Sequence, residues 1–137
     1  MSDQQSDLVI LGGGSGGYAC ALRASELGLS VTLIEEAELG GTCLHRGCIP
    51  TKALLHSAEV ADTARESSTF GVTTTLDGID MPAVLKYKDS VVARLYKGLQ
   101  GLVKARKVNF VQGTGTLIDP HPVRGGDTDY RGENVVL

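Results

Sequence analysis

From Leu8 to Leu11 the chain is apolar without alternation, and such a run predicts a short strand over about residues 7–11, covered on both faces. A glycine loop ends it. The next segment, YACALRASELG, has helical spacing, with Ala19, Leu22 and Leu27 on one apolar side and Gly28 placed to stop the helix. SVTLIEE then predicts a second strand. Strand, glycine turn, helix and strand in this order make a βαβ unit, with parallel strands and a right-handed crossover. Further on, PTKALLHSAEVADTARES sets Leu54, Leu55, Ala58, Ala61 and Ala64 at helical intervals, and the polar stretch STFGVTTTLDGID reads as a connection.

Asp80 is placed to N-cap a long helix reaching about Lys104, with Pro82 tolerated in its first turn. Val84, Val91, Leu95, Leu99 and Leu102 share one side of that helix, and Lys86, Lys97 and Lys104 lie opposite, as on a solvated face. From Val108 the period becomes that of strands: VNFVQG, GTLI, PVRG, TDYRG and NVVL, punctuated by Gly, Pro and Asp. These predict one buried parallel strand, then a small antiparallel β-meander, then a last strand ending the sequence on an apolar residue. The fold class expected is α/β, Rossmann-like, with a parallel sheet plus that meander. Because the last residues are an apolar strand without a polar cap, the natural protein is expected to continue beyond Leu137.

Composition narrows the function classes. The 137 residues are 42% hydrophobic and 21% charged, enough for one domain with its own core. A net charge of -3, a pI near 5.5 and the absence of Trp give neither electrostatic pull nor stacking surface for nucleic acid. The polar start MSDQQSDLVI lacks a basic n-region, and no apolar run approaches the ~18 residues of a membrane span, so the compartment expected is the cytoplasm. Thiols there are kept reduced, and two closely spaced cysteines are read as catalytic, redox-sensing or metal-binding before they are read as structural.

Gly12, Gly14 and Gly17 fit G-x-G-x-x-G directly after a strand and at the opening of a helix. Gly12 serves the tight turn, Gly14 lets backbone approach a pyrophosphate, and Gly17 lets helix and strand pack closely. Phosphates would sit at the helix N-terminus, where free N–H groups favour anions. Glu35 ends the second strand, roughly twenty residues on, where an acid accepts hydrogen bonds from an adenosine ribose. Glu36 is the alternative and is expected on the other face. The fingerprint leaves open whether the dinucleotide is NAD or FAD.

In GGTCLHRGCIPTK, Cys43 and Cys48 are too far apart for a disulfide in any regular element, since i and i+5 rise about 7.5 Å on a helix and a bridge needs Cα atoms within roughly 7 Å. If they bridge, the segment is a distorted turn, for which Gly40, Gly41 and Gly47 supply the freedom, and Pro50 marks where the helix resumes. Cys48 then lies at the positive end of that helix with Lys52 at i+4, both of which favour a thiolate. A structural disulfide, two unrelated thiols, and a loosely spaced metal site from Cys43, Cys48, His45 and His56 are the competing readings. Cys20, inside the first helix, reads as a packing residue.

Over essentially its whole length, from VILGGGSGGYACALRASELGLSVTLIEE through GGTCLHRGCIPTKALL, the chain resembles the flavoprotein disulfide reductases of the pyridine nucleotide-disulfide oxidoreductase family, above all the members that oxidise dihydrolipoamide. That family often has Asn-Val in place of His45-Arg46 and Ser in place of Thr51. The resemblance implies FAD as the tightly bound cofactor, with Gly12, Gly14 and Gly17 at its phosphates, Glu35 on its adenosine ribose, Gly41 and Thr42 along its pyrophosphate and flavin, Lys52 near its ring system and Gly115 at its adenine end. It also implies that Cys43 exchanges with the substrate and that Cys48 is the charge-transfer thiol, so that electrons pass from a dihydrolipoyl group to the Cys43–Cys48 disulfide and on to NAD+ as co-substrate. The partner implied is the lipoyl group of an acyltransferase or lipoyl carrier protein, and the full-length protein would be a homodimer. No second dinucleotide fingerprint is present, since GTGTLI has Ile118 where the third glycine would stand, and His45, His56 and His121 fit no acid–base motif. The 137 residues are therefore expected to be the N-terminal part of an FAD-binding domain, inactive alone. Two rivals remain, another disulfide reductase of the same family, of the glutathione or mercuric type, and a non-catalytic FAD-binding redox sensor.

Overall fold

A computed structural model describes residues 2–137 as one six-stranded sheet with four α-helices. The elements are β1 (Ser2–Leu11), α1 (Ser15–Glu26), β2 (Val31–Glu35), α2 (Gly41–His45), α3 (Cys48–Glu66), α4 (Met81–Ala105), β3 (Asn109–Gln112), β4 (Gly115–Leu117), β5 (Pro122–Gly125) and β6 (Thr128–Val136). Strand order is β3-β2-β1-β6-β5-β4. The first four are parallel neighbours, and β6, β5 and β4 pair antiparallel. The expected α/β class, βαβ unit and meander are all present. Among the described residues no helix is long and apolar enough to cross a membrane.

Two strand boundaries differ from the expectation. β1 begins at Ser2, because the polar residues 2–6 pair in register with residues 128–132 of β6, and Arg131 Nε meets Asp3 Oδ2 at 3.0 Å. A ladder of backbone hydrogen bonds leaves no hydrophobic period to read. TDYRG and NVVL form one strand, β6, whose first half pairs antiparallel with β5 on one edge while its whole length pairs parallel with β1 on the other. The meander is thus continuous with the parallel sheet.

Alternation along β1 feeds two cores. Leu8 and Ile10 join Leu33, Ala21, Ala24, Leu99 and Val103 on the face covered by α1 and α4. Val9 joins Ile34, Val123 and Tyr130 on the other. There the meander folds back over the parallel strands, and a side chain at Gly115 would collide with Leu11, Ile34 and Val123. Each fully buried aliphatic side chain contributes ~1.5–3 kcal/mol, so covering both faces of β1 and β2 is what fixes the sheet.

The helices match the expected faces only in part, with Leu22, Ala61 and Leu99 turned to the core as expected. In α1, Ala21 and Ala24 are buried, whereas Ala19 is exposed and Leu27 is 65% exposed. Together with Gly17 these alanines make a stripe of small residues, and closeness of approach, not hydrophobicity, selects it. In α3 only Ala53 and Ala61 are buried, with Leu54, Leu55 and Ala58 exposed. Along α4, Leu99 and Val103 are buried with half-buried Tyr96 packed against the same core, whereas Leu95 and Leu102, in the same C-terminal half, lie on another side of the helix and remain exposed. Its start is as expected: Asp80 Oδ1 accepts from the Ala83 N–H at 3.1 Å, with Pro82 in the first turn. Gly28, at φ 88°, closes α1.

Candidate functional site

The glycine loop joins the C-terminal end of β1 to α1. The Gly12 N–H donates to the Ile34 carbonyl at 2.8 Å, tying the turn to β2, and Gly12 has φ 109°, a conformation costly for any residue with a side chain. At Gly17 a Cβ would overlap the Gly12 carbonyl, so helix and loop meet backbone to backbone. No side chain caps α1 and no acid stands in its first turn, which leaves its first N–H groups available to an anion.

Glu35 faces that loop. Its Oε2 accepts from the Gly13 N–H at 2.6 Å and its Oε1 from the Ala37 N–H at 2.8 Å. Both donors are backbone groups, which leave no trace in the pattern of residues. Glu35 also separates two clefts. One, of about 340 Å³, is lined by Gly14, Glu35, Glu38, Gly41, Thr42 and Arg46, among others. The second, of about 240 Å³, is lined by Gly12, Glu35, Glu36 and Gly115 with Leu11 and Ile34. Glu36 thus lies beside Glu35 along the second cleft; it follows the end of β2, where strand alternation no longer governs its direction.

The cysteine segment is the expected distorted turn. Gly40, at φ 111°, starts the short helix α2, and the break at Arg46 and Gly47, the latter at φ -127° and ψ -104°, separates it from α3, which begins at Cys48 itself. The segment is fastened to the glycine loop, because the Gly40 N–H donates to the Gly13 carbonyl at 2.8 Å and a Cβ on Gly41 would stand 2.9 Å from the Gly14 Cα.

Cys43 and Cys48 are free thiols within hydrogen-bonding reach of each other. The Cys43 thiol is pushed above its ordinary value, first by its hydrogen bond with the Cys48 side chain, then by desolvation and by the neighbouring sulfur's charge. The Lys52 ammonium and the Cys48 backbone N–H pull the other way. Lys52 therefore stands close enough to act on Cys43. Cys20 is half-buried against the core under α1, apart from this site. Among the described residues no three His, Cys, Asp or Glu side chains are grouped for a metal ion.

One residue of this segment was read in the sequence only as a loose metal ligand. His45 packs its ring edge-on against Tyr96 at 4.8 Å and bonds through Nε2 to the Leu39 carbonyl at 2.9 Å. Nothing in periodicity or spacing points to that role.

A glycine-cradled helix N-terminus, an acid at the neighbouring strand end and a dithiol fastened to the same cradle define a dinucleotide-binding redox unit of α/β type. Its lineage follows from comparison. Residues 6–137 match the model of the pyridine nucleotide-disulphide oxidoreductases, and the chain belongs to that family. Members of the family use FAD and NAD(H). The chain is 49% identical to dihydrolipoyl dehydrogenase of Bacillus subtilis, over 83% of this chain and 24% of that protein. With dihydrolipoyl dehydrogenase 1, mitochondrial, of Arabidopsis thaliana it shares 44% identity over 97% of this chain and 28% of that protein. Leghemoglobin reductase of Vigna unguiculata is 41% identical over 97% of this chain and 27% of its own length. The chain thus spans about a quarter of the length of these relatives.

The residues present fit a flavin dinucleotide. Gly14 and Gly41 line the larger cleft and meet backbone to backbone, with no room for a Cβ on Gly41 and open space beside Gly14, while the uncapped start of α1 offers N–H donors to phosphate and Glu35 lines the same cleft with its carboxylate.

Proposed function

We propose that Cys43 and Cys48 are the redox disulfide of an FAD-dependent oxidoreductase that, as the whole protein, oxidises dihydrolipoyl groups with NAD+ as acceptor. The observation carrying this reading is the placement of two free thiols, close enough to act on each other, on a turn fastened to a dinucleotide cradle. Gly12, Gly14 and Gly17 hold the pyrophosphate, Glu35 the adenosine ribose, Gly115 the adenine end, and Gly41, Thr42 and Lys52 the flavin portion. FAD held by these residues would supply a two-electron acceptor between the cysteine pair and NAD+.

The chain's own chemistry is thiol–disulfide exchange. A dihydrolipoyl thiolate attacks Cys43 Sγ, the Cys43–Cys48 bond breaks, and Cys48 leaves as a thiolate. The second lipoyl sulfur, once deprotonated, attacks the mixed disulfide; the lipoyl disulfide closes, and Cys43 leaves and takes up a proton. Its raised pKa keeps that proton in place. Two electrons have then moved from substrate to the cysteine pair. Removing the substrate's protons falls to a group outside this chain, since His45 and His121 are engaged with the Leu39 and Gly132 carbonyls and His56 sits beside Glu59 on the exposed side of α3. We assign it to the rest of the full-length protein, acting as a cytoplasmic homodimer that serves a lipoyl-bearing acyltransferase or carrier protein, and we expect the 137 residues alone not to turn over.

Anaerobic titration of the full-length protein with dihydrolipoamide tests this. One disulfide per chain should be reduced, with long-wavelength absorption that Cys48→Ser abolishes, and Cys43→Ser should abolish NAD+-linked turnover. Turnover persisting in Cys43→Ser, or absorption surviving Cys48→Ser, would refute the assignment.

A further inference from the structure

The helix carrying Cys43 cannot hold itself in place. α2 spans Gly41–His45, far short of the ~12 residues an isolated helix needs, and a left-handed glycine precedes it while an irregular one follows. The side chain that fastens its end is His45, two residues after Cys43. Only 12% of that side chain is exposed. A carbonyl can only accept, so Nε2 carries the proton in the 2.9 Å bond to Leu39, the residue just ahead of Gly40. Its Nδ1 lies 3.6 Å from Glu38 Oε2, beyond good hydrogen-bond geometry. Across the ring, Tyr96 of α4 packs edge-on, with the planes at 79°. The last residue of α2 is thereby clamped both to the backbone that leads into the helix and to α4.

The same α4 supports the other sulfur. α3, which begins at Cys48, packs along α4. Both thiols are therefore positioned against one common element, Cys43 through the His45–Tyr96 contact and Cys48 through its own helix.

We propose that His45 is a positioning residue for the Cys43–Cys48 couple, holding α2 against α4 so that the sulfurs stay within bonding reach and the disulfide resists reduction. This rests on reading the two cysteines as a redox couple. The physical basis is effective concentration, because two thiols held together by a rigid frame close a disulfide more favourably than two that spend time apart. Removing the clamp leaves the thiols chemically intact and lowers the equilibrium constant for their closure.

The test is the redox equilibrium of the pair in full-length, FAD-loaded protein, poised in graded mixtures of reduced and oxidised dithiothreitol and read by alkylation and mass spectrometry. His45→Ala should lower the constant for disulfide formation about tenfold, a shift of ~30 mV to higher potential. His45→Gln keeps an N–H where Nε2 stands and should recover most of the loss. Tyr96→Leu should shift the potential in the same direction by less, and the exposed His56→Gln should not shift it. A merely structural His45 would lower the melting temperature of both His45 variants and leave the potential alone. An unchanged potential in a folded His45→Ala protein, or equal shifts in the Ala and Gln variants, overturns the positioning role while the redox reading stands. If His45→Ala does not fold, the Tyr96→Leu and His45→Gln proteins decide by the same measure. A wild-type pair that never cycles overturns the redox reading, and the positioning role with it.

Discussion

The third glycine of the fingerprint gives the sharpest stability prediction, because its neighbour in sequence is its control. Gly16 and Gly17 both lie in the first turn of α1, neither with positive φ, so replacing either by Ala brings a similar gain in helix propensity of up to about 1 kcal/mol. They differ in what the added methyl meets. At Gly16 it meets nothing within 4 Å, whereas at Gly17 it overlaps the Gly12 carbonyl, and no rotamer can relieve a clash between a Cβ and backbone. The helix must retreat from the loop, an overpacking that costs about 1–3 kcal/mol. Since the propensity gain is common to both, the difference between the variants isolates the overlap. At roughly 4 °C per kcal/mol for a domain of this size, Gly17→Ala should melt ~4–12 °C below Gly16→Ala. Urea midpoints measured alongside should give the same order, with unchanged slopes. Two variants equal within ~0.5 kcal/mol would mean that the helix and loop can separate freely. The backbone contact would then not be what the third glycine serves.

Two further predictions concern protons. Asp7 accepts from Ser30 Oγ at 2.7 Å and from the Ser30 N–H at 2.6 Å, which hold its carboxyl below the ordinary 3.8, and Arg124 does the same for Asp129. A carboxyl with a lower pKa folded than unfolded adds stability above the unfolded value and loses it as pH falls through the folded one, so stability should drop below about pH 4. Ser30→Ala should flatten that acid limb in pH-dependent urea unfolding, and an unchanged limb would remove Asp7 from the account. For Cys43, the largest upward cause is the Cys48 side chain and the opposing positive charge is Lys52. In the reduced protein, Cys48→Ala should therefore speed iodoacetamide labelling of Cys43 at pH 8, and Lys52→Met should slow it. Labelling rates insensitive to both would contradict the hydrogen-bonded pair.

How much of this was legible in the sequence depended on whether side chains or backbone carried the signal. The uninterrupted apolar run at Leu8 to Leu11 and the glycine fingerprint placed the C-terminal half of β1 and the order β1–α1–β2, and Asp80 with Pro82 placed the start of α4. Hydrophobic spacing succeeded only in part on α1, where Leu22 does pack against the core but Ala19 and Leu27 are exposed and Ala21 and Ala24 are the buried residues, because a helix that must approach a glycine loop closely is chosen for small residues. It failed on residues 2–6 and on the joining of TDYRG to NVVL for another reason, since those pairings are made by main-chain groups that every sequence possesses. At the site, Gly12, Gly14, Glu35, Gly41, Thr42 and Gly115, singled out by the glycine pattern or by the family resemblance, line the two clefts, and Cys43 stands within reach of Cys48 and of the Lys52 charge. The donors that fix Glu35, the N–H groups of Gly13 and Ala37, were invisible for the same backbone reason.

The cradle and the dithiol are one structure and not two neighbours. Gly40 donates to the Gly13 carbonyl, Gly13 donates to Glu35, and Gly41 lies against Gly14, so the backbone that shapes the larger cleft also sets where α2 begins. A side chain added at Gly41 would have to adopt φ 60° and push Gly14 away at once. Such a change displaces Cys43 and the cleft-lining backbone together, whereas His45→Ala leaves the Gly40–Gly13 bond and the Gly41–Gly14 contact in place while removing a side chain that also lines the larger cleft. Cofactor affinity and thiol–disulfide equilibrium should accordingly fall together in Gly41→Ala.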